Sequence, residues 1–184
     1  MTIKTGIAGV GGIGSNVAAN LVRSGIGPLK IVDFDRVEAS NLNRQFYFAD
    51  QIGQLKTEAL AHNLRRIRPE LQIEAVTAKI EHANCRLIFA DCDLVVEGFD
   101  RQEDKKMLLE LLGADRMVVS ACGIAGSDLV SIRTRRIGSS FIVGDFATDC
   151  AEAPLFAHKV GTVANHMSAI VLHYRGMAHD LPRS

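Results

Sequence analysis

A glycine-rich segment close to the start of the chain restricts the fold more than any other part of the sequence. Gly9, Gly11 and Gly14 satisfy the pattern GxGxxG, and Gly12 lies between them. The segment follows a short apolar run that is predicted to be a strand, and it precedes a predicted helix. In this setting the first glycine makes the turn, the second lets backbone approach a phosphate, and the third lets helix and strand pack closely. The pattern therefore predicts a nucleotide-binding α/β unit with an anion site at the helix N-terminus.

A carboxylate in the next predicted strand fits the same interpretation. Asp33 lies 19 residues after Gly14, near the end of that strand. A carboxylate at this position can accept hydrogen bonds from ribose hydroxyls. The glycines and Asp33 together indicate a nucleotide, but they fit NAD as well as ATP.

The rest of the chain alternates predicted strands and helices, which is typical of a Rossmann-like, doubly wound α/β sheet. After Gly126 the pattern changes, because segments 129–135 and 139–143 alternate as the strands of an antiparallel hairpin do. We therefore predict a parallel N-terminal part that is extended by antiparallel strands. A length of 184 residues and the lack of a convincing linker predict a single domain over residues 1–184.

Three polar residues beyond Asp33 favour a site that attacks a phosphate over a redox site. Asn41 and Arg44 follow the second predicted strand, and Lys56 begins the next predicted helix. A dehydrogenase does not need a pair of cations here. An enzyme that attacks a phosphate does, because fixed cations stabilise the charge that develops on phosphoryl oxygens. Taken singly, Arg44 or Lys56 fits a solvated loop or an ordinary helix start equally well, so the argument rests on the ordered set.

Four segments of the sequence carry a resemblance to a known family. They read GVGGIG, IVDFDRVEASNLNRQ, GQLKTEAL and DLVVEGFDR. The chain resembles the ThiF/MoeB/HesA family, the bacterial relatives of ubiquitin-activating enzymes, over about residues 5–175. Within that family it is most similar to the short ThiF proteins, which activate the sulfur carrier ThiS.

The resemblance implies an adenylation reaction. ATP activates the C-terminal glycine carboxylate of a ubiquitin-like sulfur carrier, expected to be ThiS of thiamine thiazole biosynthesis, and pyrophosphate leaves. The residues implied to contact the nucleotide are Gly9, Gly11, Gly12, Gly14, Asp33, Asn41, Arg44 and Lys56. Asp33 is expected on the ribose, and Asn41, Arg44 and Lys56 on the phosphates.

Asp100 is the residue implied to hold Mg²⁺, which prefers one or two carboxylates together with phosphates and waters. The implied catalytic set is therefore Arg44, Lys56 and Asp100. The alternative for Asp100 is an N-cap of the helix that follows it.

The cysteines suggest two further expectations. Some family members use a cysteine to receive sulfur or the carrier, and Cys150 lies in an irregular stretch where such a residue could sit; the alternative is an inert thiol. Many members also hold a structural zinc with two CxxC pairs. The four cysteines of this chain form no such pair, so we predict no structural zinc.

One feature of the family has no counterpart in the sequence. MoeB-like dimers take a second arginine from an N-terminal extension of the neighbouring subunit, whereas this sequence leads directly into its first predicted strand. Arg23 or Arg101 could replace that arginine, or the chain could depend on a partner. The alternatives to a ThiS-activating enzyme are a non-catalytic subunit that binds nucleotide and carrier, an adenylating enzyme for a molybdopterin- or cysteine-type carrier, and an NAD-binding protein.

Composition limits the expected partners. Lys and Arg number 21, as do Asp and Glu, and this balance argues against a broad nucleic-acid or anionic-membrane surface. No apolar run approaches the roughly 18 residues that a membrane-spanning helix needs. With four scattered cysteines, these features predict a cytoplasmic protein that binds neither nucleic acid nor membrane. The resemblance implies a homodimer.

Overall fold

A computed structural model of the chain describes residues 3–176, in which strands and helices alternate. The strands are β1 (Thr5–Ala8), β2 (Leu29–Asp33), β3 (Ile73–Thr77), β4 (Leu94–Glu97), β5 (Met117–Ala121), β6 (Arg133–Ile137) and β7 (Ser140–Gly144). The helices are α1 (Gly12–Arg23), α2 (Lys56–Ile67), α3 (Cys85–Ile88), α4 (Gln102–Leu112) and α5 (Ala157–Tyr174). The predicted domain, residues 1–184, stays a prediction, and positions 1–2 and 177–184 lie outside the described residues.

The strands form one sheet in the order β3-β2-β1-β4-β5-β7-β6. Every neighbouring pair is parallel except β6 and β7, which are antiparallel. The first five positions have the doubly wound order, in which the chain reverses direction across the sheet between β1 and β4. The predicted Rossmann-like fold is therefore confirmed, and the reversal point marks where such sheets bind ligands.

The predicted hairpin is present, but its first strand is shorter than expected. β6 begins at Arg133 instead of Leu129, because the Asp128 carboxylate accepts hydrogen bonds from the N–H groups of Val130 and Ser131 and holds a turn there. Its partner β7 joins the sheet parallel to β5. Only the edge strand β6 therefore runs antiparallel to its neighbour.

The central strands are buried on both faces, as the strands of a parallel sheet usually are. One face packs against α1, α2 and α5 in a core that includes Ile7, Ile31 and Val96. The other face, which includes Val32 and Val95, packs against α3 and α4. The two layers leave the carboxyl ends of β1, β2, β4 and β5 along one edge of the sheet. Among residues 3–176, no helix combines the length and the apolar character needed to cross a bilayer.

Candidate functional site

The glycine-rich turn joins β1 to α1 through backbone contacts that only glycine permits. Gly9 has a φ of +80°, in the left-handed region that favours glycine, and its N–H donates to the Val32 carbonyl at 2.8 Å. A Cβ on Gly14 would lie 1.9 Å from the Gly9 carbonyl oxygen. Helix α1 therefore begins directly against the strand, with Gly11 as its N-cap.

A cavity of about 450 Å³ opens above this turn, at the carboxyl ends of the central strands. Most of the predicted site residues line it together: Gly9, Gly11, Gly12, Asp33, Arg44, Lys56, Asp100 and Cys150. Two predicted residues, Gly14 and Asn41, are not among the lining residues. Arg101 also lines the cavity, whereas Arg23 lies at the far end of α1.

Asp33 is held against the glycine-rich turn by two backbone donors. The N–H of Val10 donates to Oδ2 at 2.7 Å, and the N–H of Asp35 donates to Oδ1 at 2.8 Å. The carboxylate is therefore fixed at the cavity wall, and each oxygen keeps a lone pair for a further donor.

Sequence reasoning missed Tyr47, a buried residue that bonds to the glycine-rich turn. Its hydroxyl donates to the Val10 carbonyl at 2.7 Å. Burial raises the pKa of the Tyr47 phenol well above its ordinary value, and the charges of Asp33 and Asp35 raise it further. The phenol therefore stays protonated and ties the 44–47 segment to the glycine-rich turn.

Arg44 lies beside the first turn of α1. Its carbonyl accepts a hydrogen bond from the Asn16 side chain at 2.8 Å, and a Cβ placed on Gly12 would lie 3.7 Å from its Cγ. The guanidinium donates to the Ser40 carbonyl and to the Asn43 side chain at 3.0 and 2.8 Å. These contacts use one of its nitrogens and leave the rest of the planar donor fork for another acceptor.

Asn41 is turned into its own loop. Its side-chain oxygen accepts a hydrogen bond from the Glu38 N–H at 3.1 Å, and its backbone carbonyl accepts from the N–H groups of Arg44 and Gln45. In this structure it shapes the loop that presents Arg44, and it does not reach the cavity.

Lys56 reaches the cavity as half of an ion pair. It is the first residue of α2, and its Nζ lies 2.8 Å from Oδ2 of Asp35. The lysine side chain is 9% exposed, whereas that of Asp35 is 48% exposed. The Lys56 ammonium is therefore held at the cavity wall by the Asp35 carboxylate, which is accessible to solvent.

Asp100 is exposed at the cavity edge, in the turn between β4 and α4. Within the part of the chain that the structure describes, its carboxylate takes part in no hydrogen bond or ion pair. The alternative role as an N-cap is wrong, because Arg101 occupies that position and makes no side-chain cap. Residues 3–176 contain no cluster of three or more His, Cys, Asp or Glu suited to a metal. A single outward carboxylate next to a cavity suits a Mg²⁺ ion that takes its other ligands from phosphates and waters.

A buried carboxylate lies behind Asp100 and was not predicted. Glu97, at the end of β4, is fully buried and accepts hydrogen bonds from the Phe99 N–H at 2.5 Å and the Ser120 hydroxyl at 2.5 Å. The Lys105 ammonium lies 3.0 and 3.1 Å from its two oxygens. Lys105 also lines the cavity. The two charges lie eight residues apart, which is not a helical pairing, so no local pattern in the sequence predicts that they meet.

Two thiols line the cavity, Cys122 and Cys150. Partial burial raises the pKa of the Cys150 thiol above its ordinary value, and the carboxylates of Asp149 and Asp100 add to the rise. Burial also raises the pKa of Cys122. Because the thiolate is the nucleophile, neither cysteine is activated in this arrangement.

The charged residues that line the cavity balance one another. Its cations are Arg44, Lys56, Lys79, Arg101 and Lys105. Its carboxylates are Asp33, Asp35, Asp100, Asp104 and Asp149. Five charges of each sign give no net charge, so the cavity as it stands is not a simple anion trap.

Comparison with known proteins shows similarity over most of the chain. The sequence pattern of the ThiF family matches residues 2–165. Molybdopterin-synthase adenylyltransferase of Escherichia coli strain K12 is 30% identical over 167 residues, which cover 86% of this chain and 67% of that protein. Ubiquitin-like modifier-activating enzyme 5 of Xenopus laevis is 47% identical over 73 residues, which cover 40% of this chain but only 18% of that enzyme.

Solved structures share the fold over almost the whole chain. E. coli tRNA N6-threonylcarbamoyladenosine dehydratase, TcdA, in complex with ATP has a TM-score of 0.82 at 21% identity, covering 96% of this chain and 88% of that one. E. coli MccB with succinimide has a TM-score of 0.76 at 22% identity, covering 95% of this chain and 56% of that one. At these identities the likeness concerns the fold alone.

The family match and the adenylyltransferase relative bear out the predicted class of enzyme, a nucleotidyltransferase. The family pattern spans nearly all of the described residues, including the glycine-rich turn, the Arg44 loop and the Asp100 turn. The chain belongs to the ThiF family.

Proposed function

We propose that the chain uses ATP to adenylate the C-terminal glycine carboxylate of a ubiquitin-like carrier protein. One observation carries the proposal: a single cavity brings together the glycine-rich turn, Asp33, two cations and the outward carboxylate of Asp100. The adenylyltransferase relative and the TcdA structures solved with ATP and AMP support a nucleotide of this kind.

In the proposed reaction a carboxylate oxygen of the carrier attacks the α-phosphorus of ATP. A new P–O bond forms, the bond from the α-phosphorus to the bridging oxygen breaks, and pyrophosphate leaves with that electron pair. The nucleophile is already ionised at neutral pH, so the protein need not supply a general base. Catalysis then rests on positioning and on electrostatic stabilisation.

The chain's own residues divide these tasks. Asp33 accepts hydrogen bonds from the ribose hydroxyls, with its position fixed by the N–H groups of Val10 and Asp35. The free face of the Arg44 guanidinium and the Lys56 ammonium stabilise charge on the phosphoryl oxygens. The backbone of Gly11 and Gly12, at the start of α1, faces the phosphates.

The proposal includes Mg²⁺, held by Asp100 at the cavity edge. When bound, the ion neutralises phosphate charge and orients the triphosphate. The outward carboxylate of Asp100, which has no other partner in the described residues, fits this role. Adenylation itself needs no thiol. We therefore propose Cys150 only as a residue that receives sulfur or the carrier in a later step.

The carrier is proposed to be ThiS-like, as the resemblance to short ThiF proteins implies. A molybdopterin-type carrier is the second candidate, because the relative that matches over most of this chain is named a molybdopterin-synthase adenylyltransferase. We also propose that the protein is a homodimer, as the resemblance implies. Its molecular mass in solution tests this directly.

Intact mass spectrometry tests the function. The protein is incubated with Mg-ATP and separate ThiS-like, molybdopterin-type and cysteine-type carriers, and we expect one carrier to gain the mass of one AMP. The control carrier lacks its terminal glycine and should gain nothing. ATP binding without AMP transfer to any carrier would favour a non-catalytic subunit. Binding of NADH in place of ATP would overturn the proposal.

A further inference from the structure

Glu97 is the most completely enclosed carboxylate near the cavity. Its side chain has no solvent exposure, and it is bonded by three neighbours from three different parts of the chain. These are the Phe99 N–H in the following turn, Lys105 on α4 and the Ser120 hydroxyl on β5. Because these donors occupy both oxygens, Glu97 cannot also contact a ligand in the cavity.

Two of these contacts bracket Asp100. The Phe99 N–H immediately precedes Asp100, and Lys105 lies five residues after it, on the second turn of α4. Two residues before Asp100, the Gly98 N–H donates to the Ala8 carbonyl at 2.8 Å, and this bond attaches the same turn to β1. Asp100 has no side-chain bond in the described residues, so its position follows from the backbone on either side of it.

Stability alone does not account for a buried pair of this kind. Removing two charges from water costs several kcal/mol per ion, and apolar replacements of buried pairs are often as stable or more so. Glu97 is fully buried and the Lys105 side chain is 18% exposed, and the pair flanks the turn that carries Asp100. A role in placing that turn explains both its burial and its location.

We propose that Glu97 and Lys105 are positioning residues that set where Asp100 meets a divalent cation on the triphosphate. The inference rests on the proposed function, since it assumes that the cavity binds Mg-ATP. Glu97 acts through the Phe99 N–H and Lys105, and Asp100 is the group that faces the ion. Partners that orient a metal-binding carboxylate typically change metal affinity by about 10–100-fold when they are removed.

Calorimetric titration with the α,β-methylene analogue of ATP tests the proposal without catalysis. The dissociation constant is measured in Mg²⁺ and in EDTA, and their ratio reports how much the metal strengthens binding. We expect Glu97→Gln to lower that ratio by about tenfold or more while changing binding in EDTA by less than about threefold. Lys105→Arg keeps the charge and can still donate to both Glu97 oxygens, so it should retain most of the ratio.

A double variant and a control separate positioning from folding. Glu97→Gln with Lys105→Met leaves no unpaired buried charge, so it should fold even if the single variant does not, and it should still show the lowered ratio. Asp91→Asn is the control, because Asp91 pairs with Lys4 and Lys30 away from the cavity. It should lower the melting temperature and leave the ratio unchanged.

The outcomes distinguish this inference from the proposed function. If Asp100→Asn abolishes the Mg²⁺ effect while the double variant keeps it, Glu97 and Lys105 are structural only and the inference is overturned. If the wild-type protein does not bind the analogue, or if Asp100→Asn leaves the Mg²⁺ effect intact, the proposed site itself is wrong.

Discussion

Replacing Lys56 by methionine should separate the chemistry of the proposed site from its stability. The substitution removes the ammonium but keeps a side chain of similar length, so the wall of the cavity stays packed. It also leaves Asp35 without its partner. Because the Asp35 side chain is 48% exposed, water can solvate that carboxylate. We therefore expect a loss of only about 0–1 kcal/mol in unfolding free energy, which corresponds to about 0–4 °C in melting temperature for a chain of this size.

The expected effect on rate is much larger. In the proposed reaction Lys56 faces oxygens on which charge builds up in the transition state. Removing one such preorganised donor typically costs about 2.7–4 kcal/mol, or about 10²–10³ in rate. The expected loss of stability is therefore too small to account for the expected loss of rate.

Lys30→Met is the matched control for Lys56→Met. The Lys30 side chain is also 9% exposed, and its Nζ pairs with Asp91 at 2.6 Å away from the cavity. The assay is pyrophosphate exchange into ATP in the presence of the carrier that accepts AMP. Lys56→Met should slow exchange by two to three orders of magnitude, with Lys30→Met close to wild type. Equal rates for the two variants, or a loss below about fivefold for Lys56→Met, would refute the role given to Lys56.

Three further variants test individual residues. Burial alone would raise the pKa of Asp145, but hydrogen bonds from Lys159, Thr148 and Ala147 together hold it well below its ordinary value. The stability that the Asp145 carboxylate contributes is therefore present above about pH 4 and lost in more acid solution. Asp145→Asn should lower the unfolding free energy at pH 7, and the loss should become smaller as the pH falls below about 4. Chemical denaturation at each pH measures this difference. Cys150→Ser should still transfer AMP to the carrier at a near wild-type rate, because the attacking group is a carboxylate; a rate loss above about tenfold, in the intact-mass assay, would contradict this. Asp100→Asn should bind metal-free ATP more tightly than wild type in EDTA, because it removes a repelling charge, and weaker or equal binding by calorimetry would count against the assignment.

The parts of the fold that follow from local backbone chemistry could be predicted from the sequence. A turn that needs a left-handed residue at Gly9 and a missing side chain at Gly14 leaves few alternatives to a strand–helix unit. The spacing of Met107, Leu108, Leu111 and Leu112 predicts a helix from Gln102 to Leu112, and α4 has these bounds. Pro69 predicts that the preceding helix stops just before it, and α2 ends at Ile67.

The parts that depend on distant contacts could not be predicted. The alternating pattern of 139–143 predicts a strand but does not say that it pairs in parallel with β5. The buried group of Glu97, Lys105 and Ser120 joins residues from three elements, and no local pattern links them. Asn41 is the opposite case. Its place in a segment that resembles the family implies a phosphate contact, but its side chain accepts a hydrogen bond from the Glu38 N–H within the loop.

The balance of charge in the cavity explains why a metal ion belongs in the proposed chemistry. Each of the two innermost lysines already has a carboxylate partner, Lys56 with Asp35 and Lys105 with Glu97. A free triphosphate entering such a site would meet little net attraction and would face the Asp100 carboxylate directly. A divalent cation held by Asp100 would neutralise part of the phosphate charge and so reduce this repulsion. Lys56 can then exchange its half-exposed partner for a phosphoryl oxygen, whereas Lys105, with its side chain 18% exposed, keeps the fully buried Glu97 and holds the turn in place. The different burial of the two carboxylate partners is therefore the reason that we propose Lys56 for the substrate and Lys105 for the scaffold.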